Sequence, residues 1–486
     1  MTKILKICCS EWRNASRDKR ELGLCREMGM EVCVLAKGQE GLVEDIDGFE
    51  VHRKGTRPLG KKIPNSINRV VSVFTWAKAA RKFEADIISG HDLLGLLVGY
   101  LSSMFLSDSR RPKLVYDSHE FELGRNKKRS HLEQAAVKKL EGFLIRHSAF
   151  TIVVNDSIAD AVQTIYHLEK RPVVVRSTPN LWAIDENETK KMHAYYCEQL
   201  GVSTDSFIVM YHGGLLPDRG IETLLQLLSI NPNIYGVVLG NGEEAYVKSL
   251  YKLAEELKVS SKVLFLPAVP LSELWRYVGA ADLGLILIPA NCENHRLSLP
   301  NKFFENIQAE NPIVCPEYPA MSSIVKQYDN GLVFKEKDIV DLSEKVDYLK
   351  NNPSDYSEKK KGAKTAKADL CWEKEQEVLQ KAYKQLIKWG GASYYLMLPN
   401  KFFENIQSGT PVLASHYPEM IKLIRRYQIG LLADPLSIPA INEQIEIVRT
   451  SHEIYNSMKN NVAVAKQSLC WEKEKQILLD AYNEIM

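Results

Sequence analysis

The sequence predicts an α/β protein with two doubly wound, Rossmann-like halves facing a cleft, followed by a repeated α/β segment. Three observations carry this. Short apolar runs alternate with longer helical patterns in both halves, as parallel sheets with crossover helices require. A polar stretch from Ala183 to Lys191 separates the two sets. The ten residues LPNKFFENIQ occur twice, at Leu299–Gln308 and Leu398–Gln407, and the CWEKE blocks at Cys371 and Cys470 keep the same spacing of 99 residues. A constant offset over so long a stretch marks a tandem repeat. The expected domains are 1–185, 186–388, and 389–486 as a copy of 290–388.

The first half opens with an apolar run from Ile4 to Cys9, a polar loop, a helical pattern carrying Leu22, Leu24 and Met28, and an alternating strand from Glu31 to Ala36. The first loop lacks the glycines of a dinucleotide fingerprint, so it gives NAD no support. Arg17 and Arg20 sit at the helix start, as solvated charges or, for Arg17, as an acceptor contact. Phe49–Arg53 reads as another strand. The basic stretch Arg53, Lys54, Arg57, Lys61, Lys62 and Arg69 then leads into a helix with Val70, Val71, Phe74 and Trp76. Such a helix fits either a charged outer face or contact with an anionic membrane, and a second basic run lies at Arg125–Arg129. Ala85–Ser89 and Lys113–Tyr116 are further strands. The second ends in Asp117, Ser118, His119 and Glu120, where open α/β sheets bind ligands. Phe150–Val154 ends at Asn155, a helix N-cap. Val173–Arg176 closes the first set.

The second half starts at the strand Ser206–Tyr211, followed by His212, Gly213, Gly214 and the segment LLPDRG that brings Arg219 to the next helix start. Two glycines after a strand admit a ligand to the backbone, and an arginine beside a helix N-terminus suits a phosphate. Tyr235–Leu239 leads into Gly240-Asn241-Gly242. Val263–Leu266 is a strand, Leu271–Val278 a helix, and Leu283–Ile288 a buried strand that runs into the first LPNKFFENIQ. That block reads as a helix with Pro300 near its first turn, and with Glu305 and Gln308 one turn apart.

The order GGLLPDRGIE, LGNG, ADLGLILIP, SLPNKFFENIQ resembles the donor half of a glycosyltransferase family 4 enzyme of the GT-B fold. The helix of the first unit and VYDSHE are similar to that family's acceptor-side half, so the resemblance covers about residues 3 to 388. It implies a retaining transfer from a nucleotide diphosphate sugar to a saccharide or lipid-linked acceptor, in surface polysaccharide synthesis, without cofactor or metal. It assigns Arg219 and Lys302 to the departing diphosphate, Glu305 to the ribose, Gly213, Gly214 and Gly240 to close backbone approach, and His119 to the transferred sugar. Arg17, Asp117 and Glu120 fall on the acceptor side. The family's first glutamate is replaced by Leu297, and by Leu396 in the second copy, so Asn301 and the backbone at Leu299 stand in as donor contacts. Lys401 and Glu404 form a duplicate of the lysine and glutamate without a GG loop or Arg219 of their own.

Bulk properties agree. The chain has 486 residues, 45% hydrophobic and 26% charged, with a net charge of +2, which gives no electrostatic ground for nucleic acid binding. Nine cysteines without CxxC spacing suit reduced thiols in the cytoplasm. No signal layout or membrane span is expected, so the location read is cytoplasmic, with peripheral contact at the inner membrane face left open. Two packings of the repeat are conceivable. Either the first copy completes the donor domain and the second is appended, which short connections favour, or the second docks and the first is displaced. Either is compatible with a homodimer through the repeated segment. After the block, Gly409 is a good residue for a helix C-terminus where Glu310 is a poor one. A sugar-nucleotide epimerase and a non-catalytic assembly protein are the competing functional classes.

Overall fold

The computed structural model describes residues 2–13, 15–60, 62–104, 106–107, 110–125, 129–386, 398–433, 437–473 and 475. Lys61, most of the second basic run, the Trp389-Gly390-Gly391 junction and most of the final helix of the sequence lie outside the described residues.

The chain divides into two compact units, Met1–Tyr383 and Lys384–Met486. The first holds both expected Rossmann-like halves, so the division falls at Lys384 and not at 389. Its first sheet has eight strands: β1 (Lys3–Cys8), β2 (Glu31–Lys37), β3 (Val43–Ile46), β4 (Phe49–Lys54), β5 (Ile87–His91), β6 (Lys113–Asp117), β7 (Phe150–Val153) and β8 (Val173–Val174). They run in the order β3-β4-β2-β1-β5-β6-β7-β8, parallel except for the hairpin of β3 with β4. The edge strand β3 is an addition to the sequence reading. Its VEDI carries too little apolar character to register as a strand, and pairing with β4 supplies what the side chains do not. The chain leaves β1 toward β2 on one side and enters β5 on the other, so the crevice beyond the ends of β1 and β5 is the switch point where such sheets take ligands.

The second sheet holds β9 (Phe207–His212), β10 (Ile234–Leu239), β11 (Val263–Leu266), β12 (Leu283–Leu285), β13 (Ile313–Pro316) and β14 (Gly331–Phe334). It is wholly parallel in the order β11-β10-β9-β12-β13-β14, the 3-2-1-4-5-6 winding of a dinucleotide-type half. These strands are apolar over their whole length because helices cover both faces. Val209, Leu283, Leu285 and Val314 are fully buried beneath the helix Ile221–Ile230. β13 pairs with β12 in register Gly284–Ile313, so the first copy of the repeat completes this sheet. The displaced-copy packing is thereby corrected, for the reason of short connection.

The halves of the first unit are tied by the helix Trp372–Leu386. The Trp372 amide donates to the Pro179 carbonyl at 2.8 Å, Arg176 pairs with Glu375 at 3.0 Å, and the Tyr383 hydroxyl donates to Glu21 at 2.5 Å. A C-terminal helix thus returns to the first sheet.

The second unit contains β15 (Val412–Ser415) and β16 (Gly430–Ala433), paired in parallel. Its helices Asn400–Gln407, Pro418–Tyr427 and Ile438–Thr450 follow Asn301–Gln308, Pro319–Tyr328 and Ile339–Asn351 at an offset of 99. Gln308 donates to the carbonyls of Lys367 and Leu370, and Gln407 donates to those of Lys466 and Leu469. The environments differ. Asn306 and Val314 are fully buried, while Asn405 and Leu413 are exposed. Among the described residues β15 has a neighbour on one edge only. No helix of the described residues is long and apolar enough to cross a membrane.

Candidate active site

One side of the candidate site is assembled at the switch point of the second sheet. β9 delivers Tyr211 and His212, then Gly213 at φ 121°, a conformation that side chains resist. Gly220, at φ 83°, lies so close to the Leu287 carbonyl that a Cβ would sit 2.0 Å from its oxygen. This turn places exposed Arg219 immediately before the helix Ile221–Ile230. From the other side, the helix Asn301–Gln308 brings in Lys302 and Glu305. Pro300 is its N-cap residue and Asn301 its first helical one, one step from the expected position. Asn301 is exposed and Leu299 buried in the core beneath this helix.

Lys302 is the unusual member. It is only 8% exposed, its Nζ sits 3.6 Å from the centre of the Tyr211 ring, and that Nζ has no hydrogen-bond partner. Burial and the Arg219 guanidinium push its pKa down to about 7, against the pull of Glu305. Two cations of different chain origin therefore share one small region. Glu305 accepts from His212 Nε2–H across 2.8 Å. Gly214 is open, whereas the close approach that Gly240 permits is to the Gly213 carbonyl, where a Cβ would stand 1.9 Å away. Gly240 thus shapes the loop that carries the site.

The other side sits at the switch point of the first sheet. Lys6, in the middle of β1, is fully buried with its ammonium 2.5 Å from Asp117, 2.6 Å from Glu21 and 3.4 Å from Asp18. Arg17 holds the second Asp117 oxygen at 3.1 Å and the Val175 carbonyl at 2.8 Å. It is 6% exposed, which corrects the expectation of a solvated charge. The adjacent carboxylates recruit it inward. His119 Nε2 lies 2.8 Å from Asp117 and 3.3 Å from Asp18, and its ring stacks on His91 at 3.9 Å. Burial would lower the His119 pKa, but Asp117 and then Asp18 raise it to about 9, so it is an imidazolium at neutral pH. Burial likewise opposes ionisation of Asp117, yet His119, Lys6 and Arg17 hold its carboxyl well below the usual range. Glu21 is raised, chiefly by burial. Glu120 lies at the rim, 2.8 Å from Arg125.

Asp18, His91, Asp117 and His119 bring ligand-type atoms within 4.8 Å of one another. The Lys6 ammonium already stands among these carboxylates as their counter-charge, so the donor set is a poor fit for a divalent ion.

The two sides face each other. Arg20, one turn beyond Arg17, packs over Trp372 at 5.5 Å and feels Glu305 across the cleft; its pKa is lowered to about 10, first by burial and then by Arg17. Asn155 donates to the Leu297 carbonyl at 2.7 Å, and Leu297 packs against the core of the first half. The position of the missing glutamate is thus a peg between the halves. Lys401 and Glu404 are exposed on the second unit.

Sequence reasoning missed Lys6, Asp18, Glu21, His91, Arg20, Tyr211, His212 and Tyr383 as site residues. Lys6 alone left a signal, a lysine in the centre of a buried strand. The others are ordinary residues on helices and strand ends until the chain is folded.

The family model for glycosyl transferases group 1 matches residues 196–368, and that for Glycosyltransferase Family 4 matches residues 23–178. A glycosyltransferase of Methanocaldococcus jannaschii is 26% identical over 326 residues, 64% of this chain and 77% of that protein. A UDP-N-acetylglucosamine–N-acetylmuramyl-(pentapeptide) pyrophosphoryl-undecaprenol N-acetylglucosamine transferase of Caldanaerobacter subterraneus is 25% identical over 346 residues, 68% of this chain and 84% of that protein. Anabaena HepE in complex with UDP superposes with a TM-score of 0.62 at 16% identity, over 79% of this chain and 99% of that one. A sucrose-phosphate synthase of Thermosynechococcus elongatus gives 0.63 at 16% identity, over 80% and 99%. At that identity the structures speak for the fold, while the matched domains and relatives speak for the chemistry. The chain is a glycosyltransferase of the GT-B fold.

Proposed function

We propose that this enzyme transfers a sugar from a nucleotide diphosphate donor, with retention of anomeric configuration, to a saccharide or lipid-linked acceptor in surface polysaccharide assembly. The observation that carries the donor assignment is Lys302: a buried ammonium with no hydrogen-bond partner, beside Arg219, with its pKa pushed to about 7. An anion placed there restores its charge. Breaking the bond between sugar and diphosphate builds negative charge on the leaving oxygen. Preorganised cations at that point act where charge develops. Glu305 accepts from the ribose hydroxyls and is oriented by His212. The imidazolium of His119 donates to the sugar from the opposite wall, held by Asp117 and Asp18. UDP bound to HepE favours a uridine diphosphate donor, and the lipid-pyrophosphate acceptor in the name of the Caldanaerobacter relative favours the acceptor class.

Transfer proceeds without a divalent ion in this reading, because the Lys6 ammonium fills the place among the acceptor-side carboxylates; EDTA should leave turnover unchanged. The second unit is a tandem duplication of the donor-domain segment, supported by the identical ten residues and the matched glutamine hydrogen bonds. Its open β15 edge suits self-association. A peripheral membrane contact through the basic helix Asn65–Arg81 and a location at the inner membrane face complete the proposal. Thermal shift against UDP-, GDP- and ADP-sugars tests the donor. Alanine at Lys302 or Glu305 should abolish transfer in a folded protein, and full activity in both variants would end the assignment. The anomeric coupling of the product tests retention.

A further inference from the structure

A groove of about 590 Å³ runs between the helices Asn65–Arg81 and Asp92–Ser103, within the roughly 300–1,000 Å³ range of small-molecule sites. Its floor is apolar: Val70, Val73 and Trp76 from the first helix, Leu94 and Val98 from the second. Its rim carries Lys37 at the end of β2, Arg57 beyond β4, and Arg69. No carboxylate lines it. Among the described residues these three side chains make no ion pair, whereas their neighbours Arg53 and Lys54 are paired with Glu44 and Glu40. Three unpaired cations above an apolar floor select for an anion joined to a hydrocarbon.

The groove also leads somewhere. Cys9 and Leu94 line both it and a second cavity of about 330 Å³, which is bounded by Ser10, His91 and Asp92. His91 stacks on His119. The second cavity is walled largely by Leu93, Leu97, Val137 and Leu140, with polar groups only where Asp92, Glu122, Arg125 and Arg129 offer partners for sugar hydroxyls. An amphiphile lying in this path would place its chain on Trp76, its phosphate at the cationic rim and its saccharide toward His119.

We propose that this groove binds the lipid phosphate of the acceptor: a saccharide joined through phosphate to a hydrocarbon chain. The inference rests on the transferase reading for the direction in which the saccharide points, and not for the ligand class, which follows from the lining. Lys37, Arg57 and Arg69 hold the phosphate, and the floor holds the chain by apolar burial. Arg57 and Arg69 are surface residues, so their removal leaves the fold intact.

Isothermal titration of the full chain with farnesyl phosphate below its micellar concentration tests this, with farnesol, inorganic phosphate and UDP as parallel ligands. Farnesyl phosphate should bind at least tenfold tighter than farnesol or inorganic phosphate. The double variant Arg57→Ala/Arg69→Ala should lose at least tenfold toward farnesyl phosphate, with farnesol and UDP binding unchanged. Equal affinity for farnesol and farnesyl phosphate, or an unaffected double variant, overturns the proposal. Binding to phosphatidylglycerol vesicles without binding to dispersed farnesyl phosphate also overturns it, and assigns the patch to a membrane surface. Farnesyl phosphate binding without any UDP binding would leave the groove standing and strike the donor reading instead.

Discussion

Replacing Lys302 by methionine should make the ligand-free protein more stable while removing transfer. Lysine ordinarily titrates at 10.5, and in the fold this one is pushed down to about 7, by burial and then by Arg219. Each pKa unit is about 1.4 kcal/mol, so the charged form is disfavoured by roughly 5 kcal/mol. The Tyr211 ring, 3.6 Å from the ammonium, can still pack against the methionine sulfur, so removing the charge should gain up to roughly 5 kcal/mol. The sign with pH follows from linkage. The folded pKa is the lower one, so between about pH 7 and 10.5 the unfolded chain binds more protons and wild-type stability rises with pH. The advantage of Lys302→Met should be full below pH 7 and fade as 10.5 is approached. Denaturant titrations of both proteins at pH 6.5 and 9.5 measure this. Transfer should fall by about a hundredfold or more, the scale of losing one group that meets developing charge. A variant less stable than wild type at pH 6.5, or a difference that does not change with pH, would refute the picture of a buried cation awaiting its anion.

Three further outcomes follow from the same geometry. Donor affinity should weaken as pH rises through about 7, because Lys302 loses the proton that the diphosphate needs; calorimetry across pH 6 to 9 with UDP reads it, and Lys302→Met should flatten the profile. His212→Ala removes the group 2.8 Å from Glu305, so KM for the donor should rise several-fold more than kcat falls, as expected when a ribose contact loses its orientation. Glu310→Gly should raise stability by up to about 1 kcal/mol: Glu310 sits at φ 62° after its helix, a conformation that strains side chains, and the lost ion pair to Lys367 offsets part of the gain.

The repeated block shows how far local sequence reaches. Identical residues build identical helices at Asn301–Gln308 and Asn400–Gln407 with the same amphipathic pattern. The contrast between Glu310 and Gly409, read as poor and good helix ends, reappears as the same positive φ in both copies, 62° and 78°. Yet Asn306 is sealed against Gly284 of β12, while among the described residues Asn405 meets no such strand and is exposed. Burial is decided by the neighbours, and the neighbours lie far away in the chain.

By itself the sequence determined the alternation of strands and helices, the strand ends followed by His119 and Gly213, the place of Arg219 at a helix start, and the lysine and glutamate on one helix face at 302 and 305. These depend on periodicity and turn chemistry, which act over a few residues. Only the tertiary structure decided that Lys6 is the hub of the carboxylates of Asp18, Glu21 and Asp117, that Arg17 turns inward, that Tyr383 reaches back to Glu21, and that Leu297 joins the two halves. Each of those depends on charges and surfaces brought together across a hundred residues or more, where the free energy of burial and pairing is set by who arrives and not by what precedes or follows in the chain.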